Sequence, residues 1–399
     1  MRKANFCYFL YQTILGAFWS CWIANLLSDG MSFQEAAIAA AFWFFGIGLF
    51  EYPTGWIADR FGRKLSTMLG IAGLSVGFFV VGLGDSNIVQ WSALGLSGLS
   101  VTLVSGAFDS WLYNRETDRD AKFDTESFWI RMQILGRLGI IVGGFGGVAL
   151  LVIDPDFVWY ASSAIGLGLV FIMSGLPKGS QDEKCQTETT ERGGNSLPSA
   201  VWIILLSSAF FGIESGIRNL IYQPFLLELT DGDLIHLAYF QAILATVRLL
   251  GLLVYRYGLK HLKRGPLLAL FAGLAFAGGE LVASLGVSYE TFLVAYAIGV
   301  FCLSWFFPVR LDMLNRNIPE AGRARVLSLD STLEMAVQGI VCVTLAYSTP
   351  SSFSSLWAIA AAGMVVCSGL VYFSKYVSVS GNVYEGHQIG RPTADELQA

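Results

Sequence analysis

Long apolar runs, separated by short polar stretches, extend along nearly the whole chain. Each run is close to the roughly 20 residues that a helix needs to cross a bilayer. Continuous apolar runs of this length indicate membrane-spanning helices rather than strands. We therefore predict twelve transmembrane helices, near residues 6–27, 33–58, 65–84, 88–113, 127–153, 157–176, 200–229, 233–256, 265–284, 288–315, 323–347 and 352–375.

A long hydrophilic stretch, residues 177–199, divides these runs into two sets of six. Its Ser, Thr, Glu and Gly content is typical of a flexible linker. We expect an N-terminal six-helix bundle over 1–176, a cytoplasmic linker over 177–199, a C-terminal six-helix bundle over 200–376 and a cytoplasmic tail over 377–399. The predicted fold class is an all-α polytopic membrane protein made of two pseudo-symmetric bundles.

Basic residues lie at one end of the predicted helices. Four of the 25 Lys and Arg residues lie deep within spans, and the others lie at the N-terminus, in or beside every second connection, or near the C-terminus. The alternate connections carry acids such as Asp29, Asp85 and Asp233. Because cytoplasmic loops are enriched in Lys and Arg, this pattern predicts that both termini are cytoplasmic.

The composition narrows the function classes. The chain is 54% hydrophobic and 14% charged, with a net charge of −5, whereas soluble domains are about 25% charged. A negative net charge disfavours nucleic acid as a partner. The six cysteines include no Cys-x-x-Cys pair, and the three histidines are far apart in the sequence. We therefore expect no metal site, no cofactor and no enzymatic activity.

The connection between the second and third predicted helices carries the sequence GWIADRFGRK at residues 55–64. Glycine permits close helix packing and a tight turn, and an aspartate at the interface accepts hydrogen bonds. This pattern resembles the signature loop of the major facilitator superfamily. The residues that carry the resemblance, and that we expect to act as a conformational gate, are Gly55, Asp59, Arg60, Gly62, Arg63 and Lys64.

The second half contains an echo of this motif, GLLVYRYGLK at residues 251–260. Tyr255 replaces the acid and Leu259 replaces the second arginine, which implies a weaker gate in this half. A repeat at this spacing is expected of two parallel halves. The residues that keep their spacing are Gly251, Arg256, Gly258 and Lys260.

Other stretches are similar to bacterial multidrug-type facilitators, and the resemblance covers essentially the full chain. These stretches are EYPTG at 51–55, SGAFDSWLYN at 105–114 and the segment 318–328. Two departures bear on the function. The fourth span offers Asp109 where proton–drug antiporters usually carry an arginine, and the fifth keeps its glycines but lacks their proline.

Charged residues inside the predicted helices are the candidates for proton or substrate coupling, because a charge within a membrane is costly and usually functional. For those near the basic end, a structural ion pair is the alternative. Glu280, toward the outer end of its helix, is expected to be hydrated. The coupling candidates are Glu51, Asp109, Arg137, Glu214, Arg218, Arg248, Arg310, Asp312, Asp330 and Glu334.

Spacing suggests partners for several of these charges. Glu214 and Arg218 stand four residues apart on one helix and are expected to pair. Asp330 and Glu334 have the same spacing but repel each other, so either Arg310 or Arg248 lies between them or one acid holds a proton. On the first half, Asp109 and Arg137 are plausible partners for Glu51.

Aromatic and amide side chains on the helices that would line a central cavity suit an amphipathic organic solute. The candidates are Trp19, Trp22, Tyr222, Gln223 and Trp305. Elsewhere, Trp and Tyr at helix ends are typical of membrane interfaces.

The resemblance implies a secondary active transporter that works by alternating access in the plasma or inner membrane, with a monomer sufficing. Proton-coupled efflux of a small amphipathic molecule is the leading hypothesis. A proton-coupled symporter for a sugar, organic anion or peptide is the first alternative. A membrane sensor that binds ligand without transporting it is the second.

Overall fold

A computed structural model describes residues 2–84, 86–118, 124–177, 197–262, 264–318, 323–348 and 352–386. These residues form a short 3₁₀ helix, Leu259–Leu262, and thirteen α-helices. The α-helices are α1 Arg2–Ser28, α2 Phe33–Phe61, α3 Arg63–Gly82, α4 Asn87–Val104, α5 Ala107–Thr117, α6 Thr125–Ile153, α7 Pro155–Ser174, α8 Ser199–Leu229, α9 Ile235–Tyr257, α10 Gly265–Ser284, α11 Tyr289–Asn317, α12 Arg323–Tyr347 and α13 Phe353–Gly386.

Twelve segments of the described chain are long and apolar enough to cross a membrane, and the described residues contain no strand. The predicted all-α, twelve-helix fold class is therefore confirmed, and the protein is a multi-pass membrane protein. The cytoplasmic location of both termini stays a prediction.

Side-chain caps begin several helices at one end of the molecule. The Ser32 hydroxyl accepts a hydrogen bond from the Glu35 amide, and the Glu35 carboxylate accepts one from the Ser32 amide, which forms a capping box. Ser86 and Ser288 cap α4 and α11 in a similar way, and Asp154 caps α7. These oxygens satisfy amide groups that the first helical turn leaves without partners.

The fourth predicted span differs from the sequence expectation because it consists of two helices. It breaks between α4 and α5, where Gly106 has φ +70°. That conformation is left-handed and favours glycine. Asp109 consequently lies in the first turn of α5, rather than near the end of one continuous helix.

The predicted linker 177–199 lies mostly outside the described residues. The last helix, α13, continues to Gly386 and so extends past residue 377, where we predicted the start of the tail. The domain limits at 176, 200 and 376 stay predictions.

The helices connect at two faces of opposite charge. We call the face with the N-terminus and the 55–64 loop the basic face, and the face with the turns after α1, α6 and α8 the acidic face. Most helices pack mainly within their own half, α1–α7 or α8–α13, but α12 packs more on α2 than on any helix of its own half, and α9 packs on α6 about as much as on α11. Contact between the two halves is made mainly by the pairs α2–α12, α6–α9, α1–α8 and α1–α9.

Glycines allow the close approach of α1 to α6. A Cβ atom at Gly143 would lie 2.0 Å from the carbonyl oxygen of Thr13, and one at Gly139 would lie 2.7 Å from that of Phe9. Neither position accommodates a side chain unless a helix moves. The glycines retained in the fifth predicted span therefore set the distance between these helices, as small residues do in membrane bundles.

Candidate functional site

A cavity of about 580 Å³ lies between the two halves. Its walls come from α1, α2 and α6 of the first half and from α8, α9, α11 and α12 of the second. This volume is within the range of pockets that bind small organic molecules. A cavity with walls from both halves changes shape whenever the halves move relative to each other.

Hydrogen bonds between α1 and α8 close the cavity toward the acidic face. The Tyr222 hydroxyl and the Gln223 side-chain amide both donate to the carbonyl oxygen of Trp19, the latter at 3.1 Å. The Gln223 carbonyl oxygen accepts from the amide of Ala24 at 2.8 Å. Each bond joins one half to the other.

Two aromatic contacts lie at the same end. The rings of Phe145 and Tyr239 are 5.5 Å apart, and those of Phe33 and Phe353 are 5.7 Å apart. Within the described chain, the hydrogen bonds and ring contacts between the halves all lie toward the acidic face. Toward the basic face, the cavity extends as far as Gln133, Leu252 and Pro308. The structure is thus closed at the acidic face, and the cavity lies on the basic side of this closure.

Of the five predicted cavity-lining residues, Trp19 and Tyr222 line the cavity. Gln223 is fully buried in the contact with α1. Trp22 and Trp305 do not line the cavity, contrary to the prediction. Trp22 packs into an aromatic core with Phe18 and Trp43, and the Trp305 indole donates to the Gly251 carbonyl at 2.9 Å.

Three of the predicted arginines line the cavity: Arg137 on α6, Arg218 on α8 and Arg248 on α9. Glu334 on α12 is the acid among the described lining residues. Arg218 pairs with Glu214, as predicted, with Nε 2.5 Å from Oε1. Arg137 and Arg248 make no hydrogen bond or ion pair with any described residue.

A chain of hydrogen bonds runs from this pair to Glu334. Arg218 Nη1 donates to Asn219 Oδ1 at 2.9 Å, and Asn219 Nδ2 donates to Gln338 Oε1 at 3.3 Å. Gln338 Nε2 then donates to Glu334 Oε1 at 3.2 Å. These bonds connect Glu214 to Glu334 in the cavity wall.

Glu280 is completely buried, so the expectation that it would be hydrated is wrong. Its carboxyl group lies close to the Glu214 carboxyl group. Both Glu280 oxygens and Glu214 Oε2 meet no donor among the described residues. The carboxyl groups of Glu214 and Glu280 are thus two hydrogen-bond acceptors that lie close together in a fully buried site.

Arg310 is not in the cavity but lies inside the second half. It makes a two-point contact with Asp330, with Nη1–Oδ2 at 3.0 Å and Nη2–Oδ1 at 2.6 Å. The serine hydroxyls of Ser207 and Ser208 accept further hydrogen bonds from it. Arg310, one of the two cations that we offered for the acids Asp330 and Glu334, pairs with Asp330, whereas Glu334 accepts a hydrogen bond from Gln338.

The proposed grouping of Glu51, Asp109 and Arg137 is not found. Within the described residues, neither acid is within ion-pair distance of Arg137, and Asp109 Oδ1 is buried without a hydrogen-bond partner. Asp312 pairs with Arg316 at 2.8 Å, and both side chains are more than half exposed. Asp312 is therefore an exposed group near the basic end of α11 and not a buried one.

The 55–64 motif forms the turn between α2 and α3. Gly62 has φ +93°, which agrees with the tight turn expected there. Lys64 is buried, and its ammonium group donates to the carbonyl oxygens of Ser174 and Leu176 at the end of α7. A cation is favourable at the negative end of a helix. The side chains of Gly55 and Asp59 lie outside the described part.

The remaining motif residues lie at the basic face. Arg60 is exposed and contacts the Phe61 ring, and Arg63 is partly buried. In the echo, Gly251 packs tightly on α11, where a Cβ atom would lie 2.4 Å from the Phe301 carbonyl oxygen. Gly258 ends α9, Lys260 is in the 3₁₀ helix and Arg256 contacts the Tyr257 ring.

Uncharged polar residues complete the cavity wall, and our sequence interpretation missed them. They share helical spacing with the charged candidates: Gln133 is one turn from Arg137, and Gln338 is one turn from Glu334. An amide inside an apolar span was the available signal. The missed residues are Gln12, Gln133, Ser215, Asn219, Gln241, Ser304 and Gln338. The described residues contain no His, Cys, Asp and Glu group suited to a metal ion.

The chain resembles known transporters in sequence and in fold. It is 30% identical over 120 residues to the multidrug resistance proteins MdtH of Yersinia pestis and Yersinia pseudotuberculosis. The match covers 30% of this chain and only 28% of those proteins. No protein-family model matches.

Solved transporter structures superpose on nearly the whole chain. The nucleoside transporter NupG has a TM-score of 0.74 at 16% identity and covers 93% of this chain and 98% of its own. A peptide transporter POT in complex with sulfate has a TM-score of 0.74 at 16% identity, covering 94% of each chain. The chain has the fold of these transporters. The proteins that it resembles are transporters and not enzymes.

Proposed function

We propose that the protein is a secondary transporter of the major facilitator type that exports a small amphipathic organic molecule in exchange for protons. The observation that carries this proposal is the cavity with walls from both halves, which cross-half hydrogen bonds close toward the acidic face. A central cavity that is closed toward one face is what alternating access requires of one of its end states. The likeness to multidrug resistance proteins supports export as the direction.

The basic face is the cytoplasmic one in this proposal, because Lys and Arg concentrate there. The structure then represents the inward-facing state of a protein of the plasma or inner membrane. Residues 1–176 and 200–376 move as two units joined by 177–199, and one copy of the chain suffices. In the opposite state the basic face closes, and Asp59 with Arg60, Arg63 and Lys64 holds it shut.

The proton site in this proposal is the carboxyl pair of Glu214 and Glu280. An ionised carboxylate that is buried without a counter-charge is costly, and Arg218 already neutralises Glu214. A single proton between the two acids supplies the donor that Glu214 Oε2 and the Glu280 carboxyl group lack. Glu280, which sequence reasoning set aside, thereby joins Glu214 as a coupling residue.

Other titratable groups surround this pair and belong to the coupled unit. They are Tyr296 on α11, Arg248 on α9, Glu334 on α12 and Cys367 on α13. When the proton leaves, the negative charge on Glu280 competes for Arg218. The hydrogen bonds from Arg218 through Asn219 and Gln338 then transmit that change to Glu334 in the cavity.

An organic-anion symporter is the second candidate, because Arg137 and Arg248 face the cavity without a partner among the described residues. It uses the same cavity and proton site but moves its substrate inward. A sensor would bind ligand and transport nothing.

The experiment is transport by purified protein in liposomes of defined orientation with an imposed pH gradient. Export is supported if the substrate accumulates on the side of the acidic face while protons move from the acidic face to the basic face. Accumulation on the basic-face side supports the symporter. Binding without flux in the same vesicles supports the sensor and contradicts transport.

A further inference from the structure

Two arginines from different halves lie at the same depth in the cavity. Helices α6 and α9 run antiparallel and meet at Gly144 and Gln241, where a Cβ on Gly144 would be 3.9 Å from the Gln241 Cβ. Arg137 is seven residues from Gly144, and Arg248 is seven residues from Gln241, both toward the basic face. Seven residues are nearly two full turns, about 10 Å along each helix. Each arginine therefore lies on the side of its helix that makes the contact, about 10 Å from the contact toward the basic face. One arginine belongs to each half.

The charge around these arginines is not balanced. Arg218 is neutralised by Glu214, and Glu334 accepts a hydrogen bond from Gln338. Arg137 and Arg248 interact electrostatically with each other, both being cationic. Two like charges facing a cavity within a low-dielectric bundle repel. The described lining residues thus present more positive than negative charge.

The walls on the acidic side of the arginines are aromatic. Trp19 and Phe44 contribute from the first half, and Tyr222, Phe240 and Tyr296 from the second. Aromatic side chains offer a large apolar surface for a flat or hydrophobic solute. The cavity therefore combines an apolar end with a cationic end.

We infer that Arg137 and Arg248 together form the binding site for an organic oxyanion, namely a carboxylate, sulfonate or phosphate ester with an apolar aromatic or aliphatic body. Guanidinium groups bind such oxygens through two parallel hydrogen bonds. The anionic group lies between the two arginines, and the apolar body packs on the aromatic wall. This inference rests on the proposed function and assigns its substrate class.

The same site explains how a bound substrate promotes movement of the halves. In the empty cavity the two arginines oppose closure of the basic face because they approach each other as it closes. An anion between them removes the repulsion and bonds to both halves. A ligand shifts an equilibrium toward the state that it binds more tightly, so the anion favours the closed, occluded state.

The test uses three probes that share one ring system: naphthalene-2-sulfonate, the uncharged naphthalene-2-sulfonamide and the cation (2-naphthylmethyl)trimethylammonium. Binding to the purified full-length protein is measured by calorimetry and by thermal stabilisation. We expect the sulfonate to bind at least tenfold more tightly than the sulfonamide, and the cation to bind least.

Variants assign the effect to the two arginines. Arg137→Gln and Arg248→Gln should each weaken sulfonate binding at least tenfold and leave sulfonamide binding within twofold. Arg248→Lys should recover only part of the loss, since lysine lacks the planar fork. Arg316→Gln, at an exposed arginine outside the cavity, is the matched control and should change nothing.

Tighter binding of the cation than of the sulfonate overturns the inference, as does sulfonate binding that either glutamine variant leaves within twofold. Flux in liposomes separates this result from the proposed function. Arginine-dependent binding without flux supports the anion site and contradicts transport. Flux of the cation alone supports transport and contradicts the anion site.

Discussion

The Tyr222 hydroxyl donates a hydrogen bond to the backbone carbonyl oxygen of Trp19 and so joins α8 to α1 across the interface between the halves. With the two bonds of Gln223, it closes the acidic face. These bonds must break when the cavity opens to that face. Their strength therefore influences the balance between the two end states.

Tyr222→Phe should shift that balance toward the state open at the acidic face, because it removes one cross-interface hydrogen bond, an interaction of about 1 kcal/mol. A cysteine introduced at Ser215 in the cavity should then react several-fold faster with an impermeant thiol reagent added on the acidic side. Tyr160→Phe is the control, since the Tyr160 hydroxyl donates to the Gly82 carbonyl within the first half. An equal rate in both variants would show that Tyr222 does not restrain the interface.

Glu280→Gln should uncouple transport from the pH gradient. Glutamine keeps the size of the side chain and can donate to Glu214, but it cannot release a proton. We expect gradient-driven flux to fall at least tenfold, whereas substrate exchange without a gradient continues. The same result is expected for Glu214→Gln.

Glu290→Gln, at an exposed glutamate on the first turn of α11, is the control for these variants and should behave as the parent protein. Coupling is measured as the pH dependence of uptake into liposomes. If uptake by Glu280→Gln retains the parent's pH dependence, the carboxyl pair is not the proton site.

Gly143→Ala should destabilise the protein because its Cβ atom would lie 2.0 Å from the Thr13 carbonyl oxygen. Overpacking of this kind costs about 1–3 kcal/mol. Gly146→Ala is the matched control on the same helix, since nothing lies within 4 Å of a Cβ there. Thermal unfolding in detergent should show a lower midpoint for Gly143→Ala alone. A similar midpoint for both variants would contradict the packing of α1 on α6.

Arg310→Gln should also destabilise the protein, because it leaves Asp330 buried without its cation. Removal of one partner of a buried pair costs about 3–5 kcal/mol. Arg310→Gln combined with Asp330→Asn should recover much of that loss. Arg316→Gln, at the exposed pair with Asp312, should cost less than about 1 kcal/mol. A double variant no more stable than the single one would indicate that the arginine acts through Ser207 and Ser208 instead.

The sequence was sufficient for the fold class because membrane helices are long and apolar enough to be recognised singly. It did not show the break at Gly106, since a positive φ leaves no mark on hydropathy. The pair Glu214–Arg218 followed from i,i+4 spacing, and Arg310 was one of two cations offered for Asp330. The first pair could be predicted because its residues lie one helical turn apart. The second could be predicted because few cations were available as partners for Asp330.

The rest of the site depends on how helices rotate and pack, which spacing alone does not determine. Glu280 was expected to contact water, but α10 turns it inward toward Glu214. Trp22 and Trp305 lie on helices that reach the cavity, yet both face neighbouring helices of their own half. Asp312 was predicted inside a span, and its side chain is exposed near the basic end of α11.

The most direct test of alternating access is the distance between spin labels across each face, in a variant without native cysteines. Leu65 and Leu262 report on the basic face, and Ile88 and Leu285 on the acidic face; all four are exposed. Ligand-free protein should populate a long basic-face distance. Naphthalene-2-sulfonate or acidic pH should shorten it by several ångströms, and the acidic-face distance should lengthen under at least one of these conditions. Distances that stay unchanged at both faces under every condition would contradict the account.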